Sequence, residues 1–473
     1  MASTTGTAAI DPRAPKTPQA QDSLPRELNI RDLTLFGIVC IVGPRWIPAA
    51  AHAGPGSVTL WLLASLLFGF PLAIAVAALM AKYPEPGGLY AWARNDFGPA
   101  HGFLAFWIYW VGMAIWFPGA AVFYLGSSAF TFGPAYAHLA DSRTFVLLGS
   151  LAAIWIALGS NLIGLKTGKW TENIGAIAIA ILGAILIAAA IVHWQRYGPA
   201  TDIRLTPTMN GNTAVFWAAI TFGISGAEYF GMMSGEIRNP EKTVKPAIWL
   251  STTFVAVLYA AATLAMLVLL RPEVINEISG LGAAGASIAR LFSAPWIIAL
   301  IGTLVLLQAF GTFGGVGTAI SRLPFAAGAD SLLPSAFGHV HPRWRTPHVA
   351  ILTLGVVASS LLLLVQLGDS LRVAYQEIVS LTLIGGFLPY LYIFLSTWRA
   401  KHRIAATLGI AVTLFCLGCS VIPTAEVHNL WLFEGKLAAG TALMIGSGLL
   451  LYRRGVRAAS RFGAEAPFRP ESS

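Results

Sequence analysis

Charged residues are scarce in this sequence. Of its 473 residues, only 11% are Asp, Glu, Lys or Arg, whereas 56% are hydrophobic. A soluble domain of this length needs a larger share of charged residues to cover its surface. The composition therefore excludes an ordinary soluble protein and predicts one that resides in a lipid bilayer.

Cysteine, metal-binding and nucleotide-binding patterns are also scarce. The three cysteines, Cys40, Cys416 and Cys419, lie in apolar runs, and the last two form a C-x-x-C pair with no nearby His or acidic residue. The histidines of "GHVHPRWRTPH" lack a Cys or carboxylate at zinc-ligand spacing. Walker, Ser-His-Asp and Rossmann patterns are absent from the sequence. We therefore expect no metal, no cofactor, no ATP-driven motor and no enzyme.

Long apolar runs fill most of the chain. Each is long enough to cross about 30 Å of hydrocarbon as a helix. They predict an all-α integral membrane protein with 12 transmembrane helices. The runs lie at 33–54, 58–80, 103–127, 144–163, 173–194, 213–233, 247–270, 296–320, 348–367, 375–397, 404–422 and 436–452.

The distribution of Lys and Arg predicts the orientation. If the N-terminus is cytoplasmic, 22 of the 30 Lys and Arg residues fall on the cytoplasmic side, as the positive-inside rule requires. The net charge of +9 is spread over many short loops, so it gives no reason to expect nucleic acid as a partner. Residues 1–32 are polar and lack an apolar core, which predicts a disordered cytoplasmic tail in place of a signal peptide.

Two of the spans are interrupted. The first contains "IVGPRWIPAA" (41–50), where Pro44 removes the N–H that would bond the carbonyl of Cys40. The sixth contains "TFGISGAEYFG", where poor helix formers at 223–226 precede Glu228. A broken helix at membrane depth persists only where it is buried in protein or lines a cavity. Two breaks five spans apart are typical of inverted-repeat transporters, although two ordinary kinks would give the same pattern.

Three loops carry a family resemblance. They are "KYPEPGGLYAWARNDFGP" (82–99), "GEIRNPEKTVKPAI" (235–248) and "SRLPFAAGADSLLPSAFGHVHPRWRTP" (321–347). In order and position they resemble the amino acid, polyamine and organocation permeases over about residues 30–455. The resemblance implies a leucine-transporter-type repeat of five plus five helices, over 33–200 and 201–403, followed by two helices in 404–452 and a basic cytoplasmic tail at 453–473. It also implies alternating access and the transport of amino acids or related amines.

The resemblance also implies a set of site residues. In the family, amide groups of the first broken span bind the substrate carboxylate, carbonyls of the sixth bind its ammonium group, and aromatic residues of the third lie nearby. An acidic residue of the sixth span, here Glu228, is linked to proton-dependent gating. The positions implied for substrate binding are Val42, Gly43, Pro44, Arg45, Trp46, Tyr109, Phe222, Gly223, Ser225 and Gly226.

The first break departs from the family pattern. Where relatives have Gly-Ser-Gly, this chain has Gly43, Pro44 and Arg45, so one amide donor is replaced by a cation. Arg45 could bind the substrate carboxylate, pair with Glu228, or anchor the helix by reaching water at the membrane edge. In some relatives a lysine in span five couples transport to protons, but the matching position here is Ile179.

The sequence predicts an amino-acid permease of the cytoplasmic membrane, working as an exchanger or a proton-coupled symporter. A polyamine or organic-cation carrier is the alternative, and Arg45 opposes it because it places a positive charge at the site. A transporter-like sensor or receptor is an alternative of another class, although neither short tail resembles a signalling domain. The expected partners are a small amino acid or amine, the lipid bilayer and, for a symporter, protons.

Overall fold

The computed structural model describes residues 24–207, 211–366, 371–422 and 430–461. Within these ranges the chain is helical and forms no β-sheet; an isolated parallel bridge joins Leu28 to Ile237. The predicted all-α class is therefore confirmed. In chain order the helices are α1 (Ile30–Ile41), α2 (Trp46–His52), α3 (Ser57–Ala64), α4 (Phe70–Lys82), α5 (Leu89–Phe97), α6 (Pro99–Ser128), α7 (Arg143–Leu162), α8 (Leu165–Tyr197), α9 (Gly211–Gly223), α10 (Glu228–Met232), α11 (Pro240–Leu269), α12 (Gly280–Phe292), α13 (Trp296–Ala329), α14 (His348–Gln366), α15 (Leu371–Arg399), α16 (Arg403–Ser420) and α17 (Leu430–Arg461).

The described ranges contain nine helices that are long and apolar enough to cross a membrane, and ten if the bent pair α1–α2 counts as one span. Helices α3 and α4 form one of them, joined by a π-helical stretch at Ser65–Gly69. The sixth and ninth predicted spans correspond to α9–α10 and α14, which are apolar helices outside this count. The protein is thus a multi-pass membrane protein, while the number of twelve spans stays a prediction.

The ends of the described chain differ from the predicted tails. Helix α1 begins at Ile30 because the Asn29 side chain caps it by accepting a 3.0 Å hydrogen bond from the amide of Asp32. Just before it, the amides of Glu27 and Leu28 donate to the Glu236 carbonyl at 2.9 and 3.0 Å. At the other end, α17 continues past 453 to Arg461. Residues 1–23 and 462–473 of the predicted tails lie outside the described residues.

The two broken spans lie at the centre of the helix bundle. Helix α1 packs against α8, α11, α13 and α10, and α10 in turn packs against α4 and α13. Around them, α13 lies along α8, while α6 lies against α15 and α17. Because the breaks are enclosed by other helices, their freed backbone groups face protein, as a lipid environment requires.

Candidate functional site

The first break separates α1 from α2 by four residues and bends the chain by 44°. Val42 leaves the helix with φ −74° and ψ 111°, and Pro44 follows with no amide hydrogen. The new helix starts when the Trp46 and Ile47 amides donate to the carbonyls of Gly43 and Pro44 at 3.0 and 3.2 Å. The sequence "VGPR" therefore produces the predicted discontinuity.

Side chains from two other helices satisfy the backbone at this break. The Gly43 amide donates to the Tyr259 hydroxyl of α11 at 2.7 Å, and that hydroxyl donates to the Ile41 carbonyl at 3.2 Å. On the α13 side, Gln308 Nε2 donates to the Val42 carbonyl at 2.7 Å. The break is thus held open by buried side chains at fixed positions, which keeps the local structure from collapsing back into a regular helix.

The second break, between α9 and α10, lies against the first. Gly226 has φ 128°, a conformation that L side chains rarely adopt, and a Cβ at this position would come within 2.8 Å of the Ile41 side chain. A Cβ at Gly223 would likewise come within 2.9 Å of the Trp46 indole. Glycine is therefore required at both positions, because each lets the sixth-span backbone approach the first span closely.

Glu228 begins α10 and is fully buried. Its Oε1 accepts hydrogen bonds from the hydroxyls of Tyr109 in α6 and Tyr390 in α15, at 2.6 and 2.8 Å. Its Oε2 accepts a 3.0 Å hydrogen bond from the Gly226 amide. One carboxyl group therefore joins the third and tenth predicted spans to the backbone of the second break.

A cavity of about 30 Å³ lies between the two breaks. That volume accommodates roughly two water molecules, so a larger molecule fits only if the surrounding helices move apart. Apolar and aromatic side chains of α6 form the wall opposite the breaks. The lining residues are Cys40, Ile41, Val42, Gly43, Pro44, Arg45, Trp46, Met113, Trp116, Ala120, Phe123, Tyr124, Phe222, Gly223, Ser225, Tyr229 and Thr312.

Arg45 is buried and lines this cavity. Its guanidinium carbon lies 4.3 Å from the centre of the Trp46 ring, an arrangement in which the aromatic face stabilises the cation. Trp46 in turn lies against both Gly43 and Gly223. The Arg45–Trp46 pair therefore closes one side of the cavity where the two breaks meet.

Eight of the ten residues implied for substrate binding line the cavity, and two lie behind it. Tyr109 and Gly226 contact Glu228 instead. The sequence analysis missed the polar side chains that hold the first break, namely Tyr259, Gln308 and Thr312. The sequence could have indicated these residues, because a polar side chain within an apolar span is a candidate for function.

Two of the three loops that carried the family resemblance, 82–99 and 321–347, form a polar cluster at one end of the bundle. Arg94 of α5 pairs with Glu85 at 2.8 Å and also with Asp330, which accepts a hydrogen bond from Tyr90 as well. Burial, together with the adjacent Asp330 carboxylate, raises the pKa of the Tyr90 hydroxyl, so this group remains a donor at physiological pH. The cluster joins the loop after the second span to the end of α13.

Apolar helices pack around two broken helices, a small cavity between the breaks is lined by a buried cation, and a buried acid lies behind that cavity. This arrangement is typical of a membrane transporter. The chain belongs to the amino acid permease family: the family model with the description "Amino acid permease" matches residues 30–429. The predicted resemblance to the amino acid, polyamine and organocation permeases is thus confirmed.

Three similar proteins illustrate the family. An uncharacterized transporter of Legionella pneumophila is 25% identical, over 88% of this chain and 95% of that protein. The serine/threonine exchanger of Bacillus subtilis is 25% identical over 85% of this chain and 89% of its own length. A cadaverine/lysine antiporter of Escherichia coli is 23% identical over 78% of this chain and 82% of its own. These relatives are transporters and exchangers, which supports a transporter over an enzyme.

Proposed function

We propose that this protein is a secondary active transporter that moves amino acids across the cytoplasmic membrane by alternating access. It has both termini in the cytoplasm, and its repeats span 33–200 and 201–403. The substrate binds between the breaks of α1–α2 and α9–α10. The observation that carries the proposal is the contact between these two breaks around a cavity lined by Arg45.

The charge of the site favours an amino acid over a polyamine. Arg45 lines the cavity directly, whereas Glu228 lies behind it and is engaged by two tyrosines and an amide. A guanidinium group recognises a carboxylate through paired hydrogen bonds and repels an ammonium group. Arg45 therefore binds the substrate carboxylate in place of the amide that Pro44 lacks, and carbonyl groups of the second break bind the ammonium group.

Exchange is the favoured mode of transport, with protons as a co-substrate in the symport alternative. Ile179 occupies the position of the coupling lysine of some relatives, which opposes a lysine-based symport. Glu228 is the acidic group of the site and joins α6, α10 and α15. A change in its protonation would alter these hydrogen bonds together, so Glu228 is the proposed proton-dependent gate.

A polyamine or organic-cation carrier is the second candidate, and it is favoured by the similarity to an antiporter of cadaverine and lysine. Such a substrate carries no carboxylate, so this candidate leaves Arg45 without a role in binding. A sensor that binds amino acids without moving them is a candidate of another class.

An uptake screen in proteoliposomes tests the proposal. Purified protein is assayed with labelled serine, glutamate, lysine and cadaverine, with and without a pH gradient and with and without the same compound preloaded. Uptake of an amino acid that depends on preloading supports an exchanger, and uptake that depends on the gradient supports a symporter. Cadaverine uptake without amino-acid uptake would overturn the amino-acid assignment, and binding without flux would overturn transport.

A further inference from the structure

A second buried acid lies outside the cavity. Glu172 of α8 is 1% exposed, and the hydroxyl of Thr318 in α13 donates a 3.3 Å hydrogen bond to its Oε1. The residue lies seven positions before Ile179, or about 10 Å along the helix. It is thus a different site from the lysine position of relatives, and it does not line the cavity between the breaks.

The charged groups around Glu172 do not balance. On α1, Asp32 pairs with Lys169 of α8 at 3.2 Å. On α13, Arg322 pairs with Glu236 at 2.8 Å and also donates to the Thr318 carbonyl at 2.7 Å. Both nearby cations are therefore already paired with other carboxylates. The Cys40 thiol of α1 also lies close by, since a Cβ at Gly315 would be 2.7 Å from Cys40 Sγ and 3.7 Å from Glu172 Cγ.

The group contains three carboxyls and two cations, so one negative charge is in excess when all are ionised. The carboxyls are those of Glu172, Asp32 and Glu236, and the cations are Lys169 and Arg322. An unpaired charge buried within a membrane protein is energetically unfavourable. One proton on Glu172 restores neutrality without breaking either ion pair. Release of that proton requires water or a cation to reach Glu172, which happens if the nearby Arg322–Glu236 pair separates.

The surroundings also provide an unused hydrogen-bond acceptor. Asn161 of α7 donates through Nδ2 to the Gly314 carbonyl at 2.7 Å. Its Oδ1 is buried and has no hydrogen-bond partner among the residues that the structure describes. A Cβ at Gly314 would lie 3.8 Å from Asn161 Nδ2 and 3.9 Å from Glu172 Cγ, so this glycine lets both side chains approach α13. A Cβ at Gly168, one turn before Glu172 on the same face of α8, would contact Asn161 Oδ1, so an acceptor lies next to the helix face that carries Glu172, and a protonated carboxyl is a donor.

We propose that Glu172 is a proton-binding site, separate from Glu228, that takes up and releases a proton during the transport cycle. The step transfers one proton from a hydronium ion to a carboxylate oxygen: an O–H bond of the hydronium ion breaks, the O–H bond of the carboxylic acid forms, and water is left. The proton exchanges with the side of the membrane that the Arg322–Glu236 pair faces. This inference rests on the proposed transport function, because a proton that is bound and released in a cycle needs two alternating conformations.

Infrared spectroscopy of the full-length protein in lipid tests proton binding without any substrate. The carboxylic acid C=O band of the protein is recorded while the pH is stepped. We expect a buried band that disappears on raising the pH in the wild type and is lost in Glu172→Gln. Glu241→Gln, which removes an exposed carboxyl, serves as the matched control and should retain the band. A band that is fully retained in Glu172→Gln would overturn the proposal.

Thr318→Val provides a second variant that keeps the carboxyl group and the side-chain shape. It removes the hydroxyl that stabilises the ionised carboxylate, so the midpoint of the band's titration should move to higher pH. A purely structural Glu172 predicts that Glu172→Gln removes no titrating band and that Thr318→Val shifts none, and that result would contradict the proposal. The infrared spectra report proton binding whether or not the protein transports anything. A negative uptake screen would therefore contradict the transport proposal alone, whereas an unchanged band in Glu172→Gln would contradict proton binding at Glu172 alone.

Discussion

The Tyr109 hydroxyl donates a 2.6 Å hydrogen bond to the Glu228 carboxyl, joining residues 119 positions apart in the sequence. Tyr390 donates to the same oxygen at 2.8 Å from α15. Both hydroxyls are buried with the acid. Glu228 is therefore the point at which α6 and α15 both contact the broken sixth span, so a change in its hydrogen bonds affects three elements together.

Removing the acid should weaken the pH dependence of transport. Glu228→Gln retains an oxygen that accepts from both tyrosines, but it places an NH₂ group against the Gly226 amide, which also donates. We expect slower exchange that varies less with pH than in the wild type, because Glu172 still titrates. Tyr390→Phe should slow exchange while keeping a pH dependence. Tyr392→Phe, in the same helix but bonded to His101, is the control. Wild-type pH dependence in Glu228→Gln would refute the gating role.

Arg45→Gln tests recognition of the carboxylate. Charged hydrogen bonds contribute about 1.5–3 kcal/mol, so the affinity for an amino acid should fall by roughly 10-fold to 100-fold. Arg45→Lys keeps the charge without the forked geometry and should recover only part of the affinity. Substrate competition against a labelled amino acid in proteoliposomes measures both. Unchanged affinity in Arg45→Gln, with unchanged rate, would assign Arg45 to helix anchoring.

Gly226→Ala should impair folding and transport. Its φ of 128° strains any other residue, and the added Cβ would come within 2.8 Å of Ile41. Strain of this kind costs about 1–3 kcal/mol. Gly198 also has a positive φ, of 75°, but has nothing within 4 Å of its Cβ position. Thermal unfolding in detergent should show a larger loss of stability for Gly226→Ala than for Gly198→Ala. Equal losses would mean that the contact between the breaks contributes little.

Tyr259→Phe should destabilise the first break while preserving its packing. The Tyr259 ring stacks on Trp61 with centroids 4.1 Å apart, and phenylalanine can keep this contact. The lost hydroxyl leaves the Gly43 amide without its acceptor, at a cost of about 1–3 kcal/mol for an unsatisfied buried group. We expect a lower midpoint of thermal unfolding than in the wild type. No change in this midpoint would show that another group satisfies the Gly43 amide.

Much of the fold could be predicted from the sequence. Apolar run length predicts the spans because a bilayer has a definite thickness. Each predicted run coincides with a helix or a broken helix pair, although helix ends such as those of α13 and α17 extend well past the runs, and α5 and α12 match no predicted run. The break at Pro44 is equally local, since proline lacks the amide hydrogen that a helix needs. Helix ends are harder to predict from apolar runs. Helix α1 begins at Ile30, three residues before the predicted run, because the Asn29 side chain caps it there.

The sequence alone determined the membrane environment, the places where two helices break and the family to which the chain belongs. These follow from composition, from local backbone chemistry and from short loop motifs. Only the tertiary structure decided that Tyr109 and Tyr390 bond Glu228, that Tyr259 and Gln308 hold the first break, and that no cation is left for Glu172 among the charged groups described around it. The physical reason is that a buried polar group finds its partners by packing between distant helices, and sequence spacing does not encode that packing.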